Sequence, residues 1–169
     1  TYTWSVAGDI TSKNPLDGIF AGASNIVTLN IGEKLIGVGN YAFYGCTLVS
    51  NNENNPEMLV PGTVEHIGMM AFYDTGVYES ASAEDMGVVY AGNWVVGYQN
   101  YEYGFMYAAY QAQGDPVSAA NIVASYSLPS TISLRDETQG IADGAFYGHY
   151  GLSTLNNVSD VSHIGHSAF

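Results

Sequence analysis

Cations are nearly missing from this chain: it has 3 lysines and arginines against 16 aspartates and glutamates, a formal net charge of −13. A nucleic-acid partner requires clustered cations that release counterions from phosphates, and so few cannot form such a face. An anionic membrane surface repels the chain for the same reason. No apolar run reaches the about 18 residues that a membrane-spanning helix needs, so membrane insertion is not expected. Cysteine is reduced to Cys46, which excludes a disulfide framework and a cysteine-based zinc cluster. Charged residues of either sign make up only 11%, against roughly 25% in an average domain, so the surface must draw its polarity from Asn, Ser, Thr, Tyr and Gly. The chain opens without a basic stretch followed by an apolar one, so no signal peptide is expected in it.

What is present is a repeat. "VGNYAF" ends at Phe43, "IGMMAF" at Phe72, "IADGAF" at Phe146 and "IGHSAF" at Phe169, with a degenerate copy, "DGIF", ending at Phe20. The phenylalanines are spaced 23, 29, 74 and 23 residues apart, and a period in the low twenties marks a stack of repeats. The register extends upstream. Leu35, Val64, Thr138 and Val161 lie eight residues before each phenylalanine, and Val38, Ile67, Ile141 and Ile164 lie five before. Leu29, Met58, Ile132 and Leu155 lie fourteen before, with Ile31, Val60, Leu134 and the exception Asn157 two residues later. A separation of two puts both side chains on one face of a short strand. Gly22, Gly45 and Gly148 follow two residues after the ring, where Asp74 is the exception, and glycine there suits a positive φ. Each unit therefore reads as strand, turn and a short Ala-Phe segment whose ring plugs a core shared with its neighbours.

These motifs resemble the BspA-like class of leucine-rich repeats. The class pattern is I-P-x-x-V-x-x-I-G-x-x-A-F-x-G-C, and "LVPGTVEHIGMMAF" (Leu59 to Phe72) with "AFYGC" (Ala42 to Cys46) reproduces nearly all of it. The resemblance covers residues 19–76 and 132–169. It implies a repeat solenoid of leucine-rich-repeat type, mainly β, with one short strand per repeat joined by short turns or helical segments. It also implies a secreted or surface-anchored bacterial or protist protein used in binding or adhesion. The class has no shared catalytic residues, so none is carried over.

The interval from Phe72 to Phe146 holds no further Ala-Phe copy. "GVVYAGNWVVGYQN" (Gly87 to Asn100) sets two apolar runs about Ala91-Gly92-Asn93, which predicts a β-hairpin. Asp115-Pro116 signals a turn in the loop-like run 114–121. Residues 77–128 thus read as one modified repeat carrying an insertion, inside a single domain of residues 1–169 that is expected to belong to a longer array or to be a truncated piece.

Chemistry candidates fare poorly. Gly37, Gly39 and Ala42 spell the G-x-G-x-x-A of a dinucleotide loop, but that fingerprint belongs in a βαβ unit. Here its tail is the repeated Ala-Phe motif, so no cofactor is expected. His163 and His166 are spaced i,i+3 with His149 nearby, while His66 shares the repeat position of His163; polar repeat positions explain all four, and no metal site is expected. Cys46 fills the family's cysteine place, where a small thiol packs in the core. Glu84-Asp85 and Asp136-Glu137 read as solvated carboxylates rather than a glycosidase pair. Asn157-Val158-Ser159 is a glycosylation sequon, relevant in a eukaryotic host.

The aromatic tract is the main recognition candidate. Tyr101, Tyr103, Phe105 and Tyr107 alternate, so a strand would turn all four to one side. Tyr98, Tyr101, Tyr103 and Tyr107 are the candidate partner-binding residues, able to stack on sugar rings or grip a protein. The competing reading is that these rings cover the core of the modified repeat. The expected function is a non-enzymatic extracellular binding or adhesion module with a protein or glycan partner. The alternative is a structural spacer that presents another domain.

Overall fold

A computed structural model describes residues 17–50 except 28 and 30, 60–99 except 80, 82 and 83, 129–169 except 150, and positions 113–115, 117, 118 and 121. In chain order the elements are β1 (Gly37–Val38), β2 (His66–Ile67), the single turn α1 (Gly76–Glu79), β3 (Val88–Ala91), β4 (Trp94–Tyr98), β5 (Thr131–Ser133), β6 (Gly140–Ile141), β7 (Thr154–Asn156) and β8 (His163–Ile164). Corresponding strands of successive repeats pair in parallel: β1 with β2, β5 with β7, and β6 with β8. Parallel pairing needs a crossover between the strands, and the rest of each repeat supplies it. The result is a strand-rich repeat fold with little helix.

The repeat signature predicts one strand per unit, and the structure has two strand positions. Ile132 and Leu155 lie in β5 and β7 as predicted. The dipeptide ending five residues before the phenylalanine is also extended, as β1, β2, β6 and β8. Two residues show no alternation, so the pattern in the sequence cannot reveal them. Backbone bonds between units create these strands: Gly68 N–H donates to Val38 O at 2.8 Å, and Gly165 N–H to Ile141 O at 2.7 Å.

Small residues let the units approach. A Cβ on Gly68 would meet the Asn40 backbone nitrogen at 2.5 Å, and one on Gly165 would overlap that of Asp143. In three of the units the residue at the next position carries a bridging carbonyl or carboxylate, while Met69 and His166 at that position supply only the backbone N–H that it accepts from. Asp17 Oδ1 accepts from Asn40 N at 2.9 Å, Asn40 Oδ1 from Met69 N at 2.8 Å, and Asp143 Oδ1 from His166 N at 2.6 Å. The residue after that is left-handed in every unit: Gly18, Tyr41, Met70, Gly144 and Ser167 have φ from 51° to 65°. The positive φ expected two residues after the phenylalanine is also present, at 74°, 71° and 78° for Gly22, Gly45 and Gly148, and Asp74 adopts it too, at 56°.

The phenylalanines form the spine of the core. Phe20 stacks on Phe43 at 5.4 Å, Phe43 on Phe72 at 5.3 Å, and Phe146 on Phe169 at 5.5 Å between ring centres. Phe72 and Phe146 are fully buried among Val64, Ile67, Ile132, Leu134 and Ile141. Cys46 is buried as expected, and its thiol donates to Phe20 O at 3.0 Å.

The predicted hairpin is present. β3 and β4 pair antiparallel around Gly92-Asn93, and Gly92 takes φ 58°. The register slips by one residue between Val89 and Tyr90, which leaves Val96 as a bulge. Its carbonyl accepts from the Tyr78 hydroxyl at 3.2 Å. β4 then pairs in parallel with β6, so one sheet runs β3-β4-β6-β8. Trp94 is fully buried and lies flat against Gly140, where an added Cβ would stand 2.6 Å from its ring. The repeats before and after the hairpin also touch directly: Asp143 N–H donates to Ile67 O at 2.9 Å, and Asp143 Oδ2 lies 3.5 Å from His66 Nε2.

Candidate binding surface

Of the four predicted recognition tyrosines, Tyr101, Tyr103 and Tyr107 lie outside the described residues. Tyr98 is 7% exposed and belongs to the core. Its ring lies 6.2 Å from that of Phe146 and 4.8 Å from the imidazole of His149. β4 brings no phenylalanine to this place, so the tyrosine ring continues the spine. Burial pushes its phenol above the ordinary value of 10.0.

A different tyrosine cluster reaches the surface. Tyr44 and Tyr73 follow Phe43 and Phe72 directly, so they emerge on the side opposite the buried rings. They stack at 5.6 Å with planes 19° apart. Tyr41 meets Tyr44 edge-on at 6.0 Å, and Tyr78, from α1, meets Tyr73 edge-on at 5.2 Å. Tyr41 is 43% and Tyr44 38% exposed, with Ile19, Ile36 and Leu48 exposed nearby in sequence. The signal was in the repeat itself: "AFY" recurs at Tyr44, Tyr73 and Tyr147.

A cleft of about 450 Å³ opens beside the hairpin turn, lined by residues including Tyr90, Asn93, Arg135, Asp136, Glu137 and Thr138. Arg135 is committed before any ligand arrives. Its Nε donates to Asp85 Oδ1 at 2.9 Å and its Nη2 to Oδ2 at 2.7 Å. The guanidinium sits 4.2 Å from the centre of the Tyr90 ring, and its backbone N–H donates to the Tyr90 hydroxyl at 3.1 Å. The hydrogen bonds that Arg135 donates to Asp85 raise the guanidinium pKa, and burial raises that of Tyr90. Asp85 is thus not the solvated carboxylate its sequence context suggested: Arg135, 50 residues away, covers it. Asp136 and Glu137 are exposed as expected.

The remaining candidates are dispersed. Gly37 and Val38 form β1, which a turn follows rather than a helix. His163 shares a 2.8 Å hydrogen bond with the Ser162 hydroxyl, His166 is exposed, and His66 faces Asp143. His149 takes the repeat position of Cys46 and Thr75, three residues after the phenylalanine. Thr75 satisfies its hydroxyl on Phe72 O at 2.6 Å. Both ring nitrogens of His149 are buried without a hydrogen-bond partner among the described residues, and burial lowers its pKa from 6.5. Burial also pushes the Cys46 thiol above 9.0, which keeps it a protonated packing group. Asn157 is exposed at φ 58°, and its Nδ2 donates to Leu134 O at 3.0 Å, so the sequon nitrogen is engaged.

A family profile described as BspA type leucine rich repeat region matches the chain in 6 copies, over residues 16–94 and 122–169. The match extends beyond the stretches carrying the plain motif and includes the first half of the hairpin. No curated protein and no solved structure matches the chain. With six copies of the profile in the sequence and one backbone register shared between its repeats, the chain belongs to the BspA-type leucine-rich repeat family.

Proposed function

We propose that the chain is a non-enzymatic binding or adhesion module of a secreted or surface-anchored protein, its coils forming a curved solenoid. The observation that carries this reading is the surface tyrosine cluster in which Tyr41 and Tyr44 are exposed and Tyr73 and Tyr78 half-buried against them. The core already has its own ring stack, so the exposed Tyr41 and Tyr44 are not needed to fill it. Tyrosine presents a rigid apolar body with a polar tip and loses little conformational entropy on contact, which suits recognition of a protein or glycan. Tyr101, Tyr103 and Tyr107 join the proposal on their alternation in sequence alone.

The test is a panel of extracellular-matrix proteins and a glycan array, probed with the wild type and with a Tyr44→Ala/Tyr73→Ala variant. We expect at least one protein or glycan to bind, and the variant to lose that binding while still melting cooperatively. Absence of any binding, or a folded variant that binds as the wild type does, would sink the proposal and leave the spacer role.

A further inference from the structure

Resting on that reading, we propose that Tyr44 and Asp74 form a notch for arginine and lysine side chains, so that the partner presents a cationic polypeptide segment. The two faces of the Tyr44 ring differ. One lies against Tyr73. On the other side, the neighbouring repeat has the methyl group of Ala21 in the equivalent place, set by the bonds from Phe20 N to Ala42 O at 2.9 Å and Gly22 N to Tyr44 O at 2.7 Å. Ala21 is itself exposed, Tyr44 is 38% exposed and Tyr41 meets it edge-on, so the ring keeps accessible surface over a small residue. A cation over such a face is attracted by the ring quadrupole.

The anion is adjacent. A Cβ built on Gly45 would lie 3.9 Å from Asp74 Oδ2, which puts this exposed carboxylate over the backbone next to Tyr44. The left-handed φ of Asp74, at 56°, holds it at this turn. Glu79, exposed beside Tyr78, supplies a second anion further along the cluster. The chain already uses the same chemistry on itself, where Arg135 lies over Tyr90 and pairs with Asp85. The net charge of −13 draws basic partners from a distance, and the notch selects where their side chains settle.

The probe is an oligoarginine peptide against a length-matched oligoglutamine peptide, measured by fluorescence anisotropy at near-physiological salt. Tyr44→Leu keeps bulk and charge but removes the ring and should weaken oligoarginine binding about two- to fivefold; Tyr44→Phe keeps the ring face and should bind as the wild type does. Asp74→Asn does not touch the core and should weaken binding more than Asp160→Asn, a control at an exposed carboxylate between β7 and β8. Unchanged affinity in Tyr44→Leu, or equal losses in the two Asp→Asn variants, would reduce the attraction to net charge and overturn the notch. That result leaves the panel result for Tyr44→Ala/Tyr73→Ala standing, so the two readings fail separately.

Discussion

The repeat from Gly37 to Cys46 and the hairpin from Val88 to Tyr98 both bury apolar runs, but they are tied to their neighbours differently. In the repeat, alternate backbone amides do the work: Tyr41, Phe43 and Gly45 donate to Met69, Ala71 and Tyr73 at 2.9, 2.8 and 3.0 Å. Such bonds ask little of the side chains beyond small size where the units meet. The hairpin depends on particular groups: Trp94 over Gly140, Tyr78 on the Val96 carbonyl, and Arg135 between Asp85 and Tyr90. An interruption of the repeat loses the generic ladder on one side, and individual side chains replace it. Sensitivity to mutation should follow that division.

The largest effect is expected at the hairpin. Trp94→Ala should cost about 3–5 kcal/mol in urea unfolding, while the shape change Phe43→Leu in a regular repeat should cost about 1–1.5 kcal/mol. Equal losses would break the comparison. Arg135→Met keeps most of the stem but leaves Asp85 half-buried without its guanidinium, and should cost about 1–2 kcal/mol. A change within error by thermal melting would show the ion pair to be ornamental. Asn40→Ala and Asp143→Ala each remove a short side-chain bridge between repeats together with a longer contact, to Asp17 and His66 respectively, at about 1 kcal/mol apiece, and should add in the double variant because the two sets share no partner.

A smaller, pH-dependent difference is expected at His149. Its folded pKa lies below 6.5, so the unfolded chain binds the extra proton more readily. Its neutral form contributes fully above that value, and the contribution is lost as pH falls through the lower folded value. His149→Phe should therefore flatten the wild type's decline in melting temperature between neutral and mildly acidic pH; parallel declines would remove the histidine from the explanation. The smallest effect is Ser167→Gly. It relieves a left-handed non-glycine residue at 51° and should gain about 0.5 kcal/mol, net of the entropy that glycine adds to the unfolded chain.

Much of the repeat could be read from residue order, because each unit repeats its instructions. The phenylalanine spine, the core positions at Val64, Ile67, Ile132 and Ile141, and the turn glycines follow from spacing alone. The hairpin was legible from its Gly92-Asn93 turn. The two-residue strands were not, because bonds to another unit define them. The Asp85–Arg135 pair was hidden for a related reason: it joins residues on opposite sides of an insertion. The tyrosine cluster was written in "AFY", but its exposure depends on Phe43 and Phe72 turning inward, which leaves the next residue facing out. The burial of Tyr98 beside Phe146 was not legible either, because a lone tyrosine at the end of β4 gives no hint that its ring takes a place in the core.

The parallel register of β6 and β8, with partners 23 residues apart, also bears on mechanics. Under tension applied through the chain, a unit can detach only by breaking its whole row of bonds to the next, and its release then pays out roughly 80 Å of extended polypeptide at about 3.5 Å per residue. A stack built this way gives ground in steps, each one dissipating work before the load reaches the next unit.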